Sequence, residues 1–262
     1  MSAKQRIDGL AQAFFHDTGA KKQSTKEVAK DDTFRKWLLA RLIDVRLFGA
    51  TMPIGSEEGA GSHITYTGPV QFSWGYSLNR VELLPSSTIT SHFAGRERGE
   101  KGEYGTMGKD WRVKYSFLAF YGLVSAWRAR ETGLLDTDVK LLGHSLINSL
   151  PLIATSRSKI GQTPRLYLRV EYKDDATFLG DFRTRLQLGK AEGLESIADV
   201  SLDFGPLVEW LKGHQGAIQR AVVWAHDEFG PGVALITTLK KELGEDVVQD
   251  LDDLMKKIQA SS

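Results

Sequence analysis

Catalysis usually leaves its first trace in histidines, carboxylates and thiols. Six histidines stand at His16, His63, His92, His144, His214 and His226, and no two of them fall at metal-ligand spacing or at i, i+4. His144 lies near the apolar side of a helical pattern and reads as a core or boundary residue. Asp174-Asp175 could share a divalent cation, although two carboxylates after a strand also make an ordinary solvated turn. The chain has no cysteine, which removes disulfides, thiolate metal sites and cysteine nucleophiles together. It also lacks a Gly-x-Ser-x-Gly elbow. Gly55, Gly59 and Gly61 with Ser62 invite comparison with a phosphate-cradling loop. The Walker lysine is missing and no buried strand leads into a helix, so residues 54–63 read as a surface loop. Nothing here calls for a cofactor or a metal, and the expectation is a protein that is not an enzyme. A ribonuclease assembled from distant residues stays open as the alternative.

Binding asks for less than catalysis. Phosphates need lysines, arginines and backbone N–H groups on one face, and bases need apolar or aromatic side chains beside them. Residues 94–109 form a polar, glycine-punctuated arm carrying Arg96, Arg98, Lys101 and Lys109 against Glu97, Glu100 and Glu103. Its apolar anchors are Tyr104 and Met107. Met107, between Thr106 and Gly108, fits either a wedge slipped between bases or a side chain folded back onto Tyr104. His92, beside Phe93 at the base of the arm, fits either stacking on a base or an exposed turn. A second basic segment, 155–164, carries Arg157 and Lys159 and no acid. The aromatic pattern of the common RNA-recognition motif is absent, so recognition of backbone and shape is expected.

These residues need elements to hold them. Gly68 to Asn79 is rich in strand formers, and Trp111 to Tyr115 alternates apolar and basic residues at the strand period of two, so a long hairpin is predicted around the arm. Ile7, Leu10, Ala11, Phe14 and Phe15 predict a helix stopped at Gly19. A second helix is predicted from Ser24, whose spacing to Glu27 fits a capping box, through Leu42. Asp44 to Ala50 reads as a strand or a helix-to-strand junction. Tyr115 to Arg130 reads as a helix or a long buried strand that turns helical. Val139, Leu142, Leu146 and Leu150 predict a helix ended at Pro151, Arg165 to Tyr172 a half-buried strand, and Leu202 to Lys212 a helix with Pro206 in its first turn. Ile218 to Trp224 is a further strand, and two helical patterns separated by Gly244 finish the chain. Short strands and helices without regular βαβ spacing say α+β, as a single domain over 1–262.

With 41% apolar and 26% charged residues, the composition is that of a globular protein. No apolar run reaches membrane-spanning length and no signal-peptide pattern opens the chain, so a cytoplasmic location with no membrane is expected. The net charge of +1 conceals an uneven distribution. Residues 91–130 and 155–190 each hold eight Lys/Arg against four Asp/Glu, whereas 227–253 holds eight Asp/Glu against two Lys. The chain therefore carries two basic blocks and an acidic helical C-terminal segment, about 227–262.

The segments Asp44-Val45-Arg46-Leu47-Phe48-Gly49-Ala50, Gly68-Pro69-Val70-Gln71, Thr106-Met107-Gly108, Thr132-Gly133-Leu134, Ser156-Arg157-Ser158 and Arg165-Leu166-Tyr167-Leu168-Arg169-Val170-Glu171, in this order and spacing, resemble one family. It is the repeated backbone subunit of type I CRISPR Cascade surveillance complexes, closest to the subtype I-B form, within the repeat-associated mysterious protein superfamily. The resemblance covers roughly half the chain. It implies a ferredoxin-like, RNA-recognition-type palm with a long β-hairpin thumb, matched here at about 88–115, and an inserted finger region. It implies a non-catalytic antiviral scaffold that polymerises head to tail along guide RNA (crRNA) and presents its bases for pairing with target DNA. Its partners would be the guide RNA, target DNA through the guide, further copies of itself and other Cascade subunits. Carried over residue by residue, Arg46, Gln71, Asn79, Arg157 and Lys159 match positions expected near RNA. One departure stands out. Members usually begin with a strand and an Asn-Pro-Asn-Gly-Asp-Pro-like motif leading to a basic helix, and neither is present, so the N-terminal palm strand is expected to be missing. An RNA-processing or RNA-cutting enzyme of the same superfamily, and a plain interaction subunit, are the competing readings.

Overall fold

The structure, a computed structural model, describes residues 2–54, 62–91, 106–156 and 159–259. The chain opens with α1 (Ala3–Thr18), capped by Ser2 in a reciprocal box with Gln5 and stopped by Gly19 in the left-handed region at φ 67°. The single helix predicted from Ser24 is two helices, α2 (Thr25–Val28) and α3 (Asp32–Arg41). Ser24 caps the first as its spacing to Glu27 predicts. Asp31 then accepts from the Thr33 N–H at 2.7 Å and starts a new helix in mid-segment. Ile7, Phe14, Val28, Phe34 and Leu38 bury themselves as one core, with Phe14 edge-on to Phe34 at 5.3 Å.

The 44–50 segment is the junction that was expected: α4 (Ile43–Phe48) runs directly into β1 (Gly49–Ile54). β2 (Ser62–Thr67) returns antiparallel to β1, from Ile54↔Ser62 to Gly49↔Thr67. The ends of the segment read as a loop are therefore strand, and Gly55, Gly59 and Gly61 lie outside the described residues.

β3 (Val70–Phe72), β4 (Tyr76–Ser77), β5 (Leu83–Ser91), β6 (Thr106–Val113), β7 (Leu118–Ala119) and β8 (Gly122–Val124) follow. They pair β3 with β8, β4 with β7 and β5 with β6, all antiparallel. These ladders are successive rungs of one interrupted hairpin. The apolar run after Tyr115 is thus two short strands rather than a buried strand or helix, and Phe120 (63% exposed) and Trp127 (62%) do not enter the core. Only its end is helical, in α5 (Ala126–Thr132).

The rest of the chain is a second α+β layer. It comprises α6 (Asp136–Leu152), β9 (Leu166–Tyr172), β10 (Gln187–Leu188), β11 (Leu202–Asp203), α7 (Gly205–Gly213), β12 (Ile218–Ala225), α8 (Gly230–Leu243), β13 (Val248–Asp250) and α9 (Leu251–Gln259). The largest core lies here, around Leu211, Ala221, Val223, Phe229, Leu239 and Leu243. The mixed helix-and-sheet class agrees with the sequence spacing. The widest sheet among the described residues has three strands, ordered β13-β12-β9, with β13 parallel and β9 antiparallel to β12. β13 was not anticipated, because Val248-Gln249-Asp250 sits inside what reads as a helical tail.

Candidate nucleic-acid interface

Four of the nine predicted site residues, Gln71, Asn79, Met107 and Lys109, lie on the interrupted hairpin, and local devices explain each interruption. At the first, Ser73 N–H still donates to Tyr121 O at 2.9 Å, and two aromatic rings lie over glycines. A Cβ on Gly75 would come within 2.4 Å of the Phe120 ring, and one on Gly122 within 2.7 Å of the Phe72 ring. Phe72 and Gly122 are register partners, so the ring covers the bare backbone opposite it.

At the second interruption Asn79 replaces the ladder. Its Oδ1 accepts from the Phe117 N–H at 2.7 Å and from the Ser77 hydroxyl at 3.0 Å, and its Nδ2 donates to the carbonyls of Arg80 and Tyr115. Asn79 is buried. All its polar capacity that is visible here holds the chain, which is the physical reason its side chain does not stand out toward a ligand.

Two further contacts fix the root. Arg183 grips both oxygens of Asp181 and donates through Nη1 to Trp74 O at 2.7 Å and Ala119 O at 3.4 Å, one carbonyl from each side of the hairpin. Its guanidinium also lies 5.0 Å from the Tyr76 ring centroid and 5.9 Å from that of Tyr121. The hydrogen bond to Asp181 raises the Arg183 pKa and lowers that of Asp181. Across the root, Lys114 Nζ meets Glu195 at 2.6 Å and Arg80 meets Glu192 at 2.8 Å. The Glu195 hydrogen bond, aided by the charges of Glu195 and Glu82, pushes the Lys114 ammonium up from its usual value. Beyond this root β5 and β6 pair with each other alone among the described residues, from Leu83↔Val113 to Ser91↔Thr106.

The remaining sequence candidates divide clearly. Gln71 on β3 is exposed and donates to Gly68 O at 3.0 Å. Lys159 is exposed in a turn closed by its own N–H on Ser156 O, and has no carboxylate partner among the described residues. Met107 and Lys109 lie on β6 opposite Thr90 and Thr88, with side chains outside what the structure describes. His92, Arg96 and Arg157 lie outside the described residues. Arg46 is buried. Its Nε and Nη2 bind Asp138 at 2.7 and 2.8 Å, and its Nη1 donates to Leu39 O and Ala40 O. Four of its five N–H donors hold the junction of α3, α4 and α6, leaving little to offer a phosphate.

Two carboxylates weighed for chemistry are likewise committed. Asp174 accepts from the N–H groups of Ala176 and Thr177 and from the Thr177 hydroxyl, which lowers its pKa, and Asp175 pairs with Arg130. Among the described residues no group of three His, Asp or Glu is placed to hold a metal ion, and no helix is long and apolar enough to cross a membrane. Sequence reasoning missed Arg183, whose carbonyl partners on the hairpin lie 64 and 109 residues away and leave no local signal.

Comparison with known proteins gives this arrangement a context. A CRISPR-associated protein Cas7 from Haloferax volcanii is 36% identical over 183 residues, covering 64% of this chain and 53% of the relative. The chain thus spans about half the length of that curated relative. A chain of a solved CRISPR RNA-guided surveillance complex, pre-nicking, aligns with 77% of this chain and 56% of its own, at 15% identity and a TM-score of 0.42. The sequence profile of CRISPR-associated protein Cas7 matches residues 2–205. On that match the chain belongs to the Cas7 family of CRISPR-associated proteins.

Proposed function

We propose that the protein is a guide-RNA-binding backbone subunit of a CRISPR surveillance complex. In this reading it is a non-catalytic scaffold that lines up head to tail along the RNA, with other Cascade subunits at the ends, and presents guide bases for pairing with target DNA. The observation that carries it is the hairpin. Its root is clamped by Arg183, Asn79 and two ion pairs, while its distal ladder pairs only with itself among the described residues. A two-stranded ladder is marginal by itself and gains from a partner laid against it. Family membership supplies the kind of partner. The sheet β13-β12-β9 then belongs to the ferredoxin-like palm, the hairpin is the thumb, and the work is done in the cytoplasm.

The charge distribution supports open-ended assembly. Two basic blocks and one acidic segment on the same chain favour heterologous contacts between copies over a closed dimer. The test is mass measurement on single-stranded RNAs of increasing length. Protein mass per RNA should rise in steps with length, and a stoichiometry fixed at two copies would exclude the scaffold.

A further inference from the structure

The loop of residues 189–199, which follows β10, meets both sides of the hairpin root. Its backbone is fixed at three points. Gly189 N–H donates to Ser201 O at 2.8 Å. Leu194 is buried in the largest core together with Val200 and Leu202. The Asp199 carboxylate accepts from the N–H groups of Glu195 and Ser196 at 3.0 and 2.9 Å, and from the Ser196 hydroxyl at 3.1 Å. This anchoring leaves the side chains of Glu192 and Glu195, on either side of Leu194 in the chain, 68% and 66% exposed.

Both carboxylates reach the hairpin. Glu192 meets Arg80 just before β5, and Glu195 meets Lys114 just after β6, with Glu82 a longer second partner of Lys114 at 3.9 Å. The backbone makes its own contacts beside them. Arg80 N–H donates to Ala191 O at 2.8 Å and Lys114 N–H to Glu82 O at 2.9 Å, so both cations keep their places without the glutamates. Leu83, its register partner Val113, and Trp111 share the opposite face of the ladder and are exposed. The loop thus covers the charged face and leaves the apolar one open.

We infer that Glu192 and Glu195 are an autoinhibitory latch: they hold Arg80 and Lys114 in the free protein and yield both cations to two phosphates of a single-stranded RNA laid along the root. The inference rests on the guide-RNA reading above and adds to it a contact that opposes binding. Exposure separates these pairs from the committed ones. Arg46 and Arg183 are gripped by both oxygens of a carboxylate, with side chains only 11% and 15% exposed, whereas Arg80 and Lys114 face solvent and contact their glutamates at single points. Exposed pairs of this kind contribute little and break readily. A phosphodiester offers the same anionic oxygens as a carboxylate, so it can replace one. Because one anchored loop carries both glutamates, a ligand gains fully only by supplying two anionic groups at the spacing of Arg80 and Lys114. A nucleic-acid backbone does so and a lone anion does not.

The test follows binding of the full chain to fluorescein-labelled oligouridylate across a salt series. Glu192→Gln with Glu195→Gln should bind about fivefold tighter than wild type, the worth of two exposed pairs that no longer have to break. Arg80→Gln with Lys114→Gln should flatten the slope of log K against log salt by about 1.4, the share of two phosphates. With all four changes the gain from the glutamines should vanish, because no cation is left to release. A gain of equal size in both backgrounds would overturn the inference, since removing two negative charges then acts only at a distance. Weaker binding by the Glu192→Gln, Glu195→Gln protein, with faster exchange of the Leu78 amide that donates to Phe117 O, would also overturn it and make the loop a brace. Wild-type protein that does not bind at low salt sinks the guide-RNA reading and the latch together. Salt-dependent binding without the coupling between the two pairs of changes sinks the latch alone.

Discussion

Arg46 and Asp138, 92 residues apart in the chain, meet as a two-point ion pair at 2.7 and 2.8 Å with side chains only 11% and 3% exposed. The pair joins α4 to the first turn of α6. The Leu135 N–H adds a third bond to the carboxylate at 3.0 Å, and the Thr132 hydroxyl donates to the Arg46 carbonyl at 2.9 Å. Burial pushes the Asp138 carboxyl up, but the bonds from Arg46 and Leu135 and the Arg46 charge outweigh it and leave the group below its ordinary range.

Removing one partner strands the other, so Asp138→Asn and Arg46→Ala should each cost about 3–5 kcal/mol in urea unfolding. Arg46→Lys should recover only part, because lysine lacks the planar fork. The pH dependence has a defined sign. A carboxyl lowered in the folded state contributes stability above its unfolded pKa of about 3.9 and loses it as pH falls through the folded value. The gap between wild type and Asp138→Asn should therefore close only on the acid side. A gap that stays constant down to pH 2 would show that the pair is not the cause.

Arg183→Gln should loosen the hairpin root with little effect on the distant N-terminal core. The Leu78 N–H, which donates to Phe117 O at 2.8 Å beside the clamp, reports on it directly. Its exchange should quicken in line with a loss of about 1.5–3 kcal/mol, the worth of charged hydrogen bonds, while amides of α1 keep their protection. Unchanged exchange at Leu78 would mean that Arg183 holds nothing the strands do not hold themselves.

Two glycine-to-alanine changes should have opposite signs. Gly49 has φ 72°, and a Cβ there would lie 2.2 Å from the Tyr66 carbonyl oxygen. Gly49→Ala should therefore lose more than about 1–3 kcal/mol, from left-handed strain plus a backbone clash. Gly9 sits exposed inside α1 with open space around its Cβ position, so Gly9→Ala should gain about 0.5–1 kcal/mol. Denaturation midpoints at unchanged slope separate the two.

What could be read from the sequence was whatever is decided locally. Gly19 as a helix stop, Ser24 as a cap and Pro206 at a helix start each depend on neighbours within a few residues. Arg46, Asn79 and Arg183 are different. Whether an arginine meets a phosphate or a buried aspartate depends on a partner 92 residues away, and an asparagine splices a broken ladder only because Phe117 arrives opposite it. The exposed side of Phe120 and Leu123 was illegible for a related reason. An apolar run states that burial is favourable, not what supplies the cover.

The last prediction separates charge from stacking on RNA. Lys159 is exposed with no carboxylate partner among the described residues, and Lys109 lies on the β5–β6 ladder opposite Thr88. If each neutralises one phosphate, Lys159→Ala and Lys109→Ala should each reduce the slope of log K against log salt by about 0.7 for single-stranded RNA. Arg46→Ala, measured where the variant remains folded, should leave that slope alone, since its charge belongs to Asp138. Met107 lies on the same strand opposite Thr90 and next to Gly108, a neighbour small enough for close backbone approach. If its side chain wedges between bases, Met107→Ala should weaken binding by about 1–3 kcal/mol with the slope unchanged, because stacking is not screened by salt. A Met107→Ala protein that binds RNA as tightly as wild type but melts earlier would assign the residue to hairpin packing. A flattened slope would assign its effect to the arrangement of the neighbouring lysine.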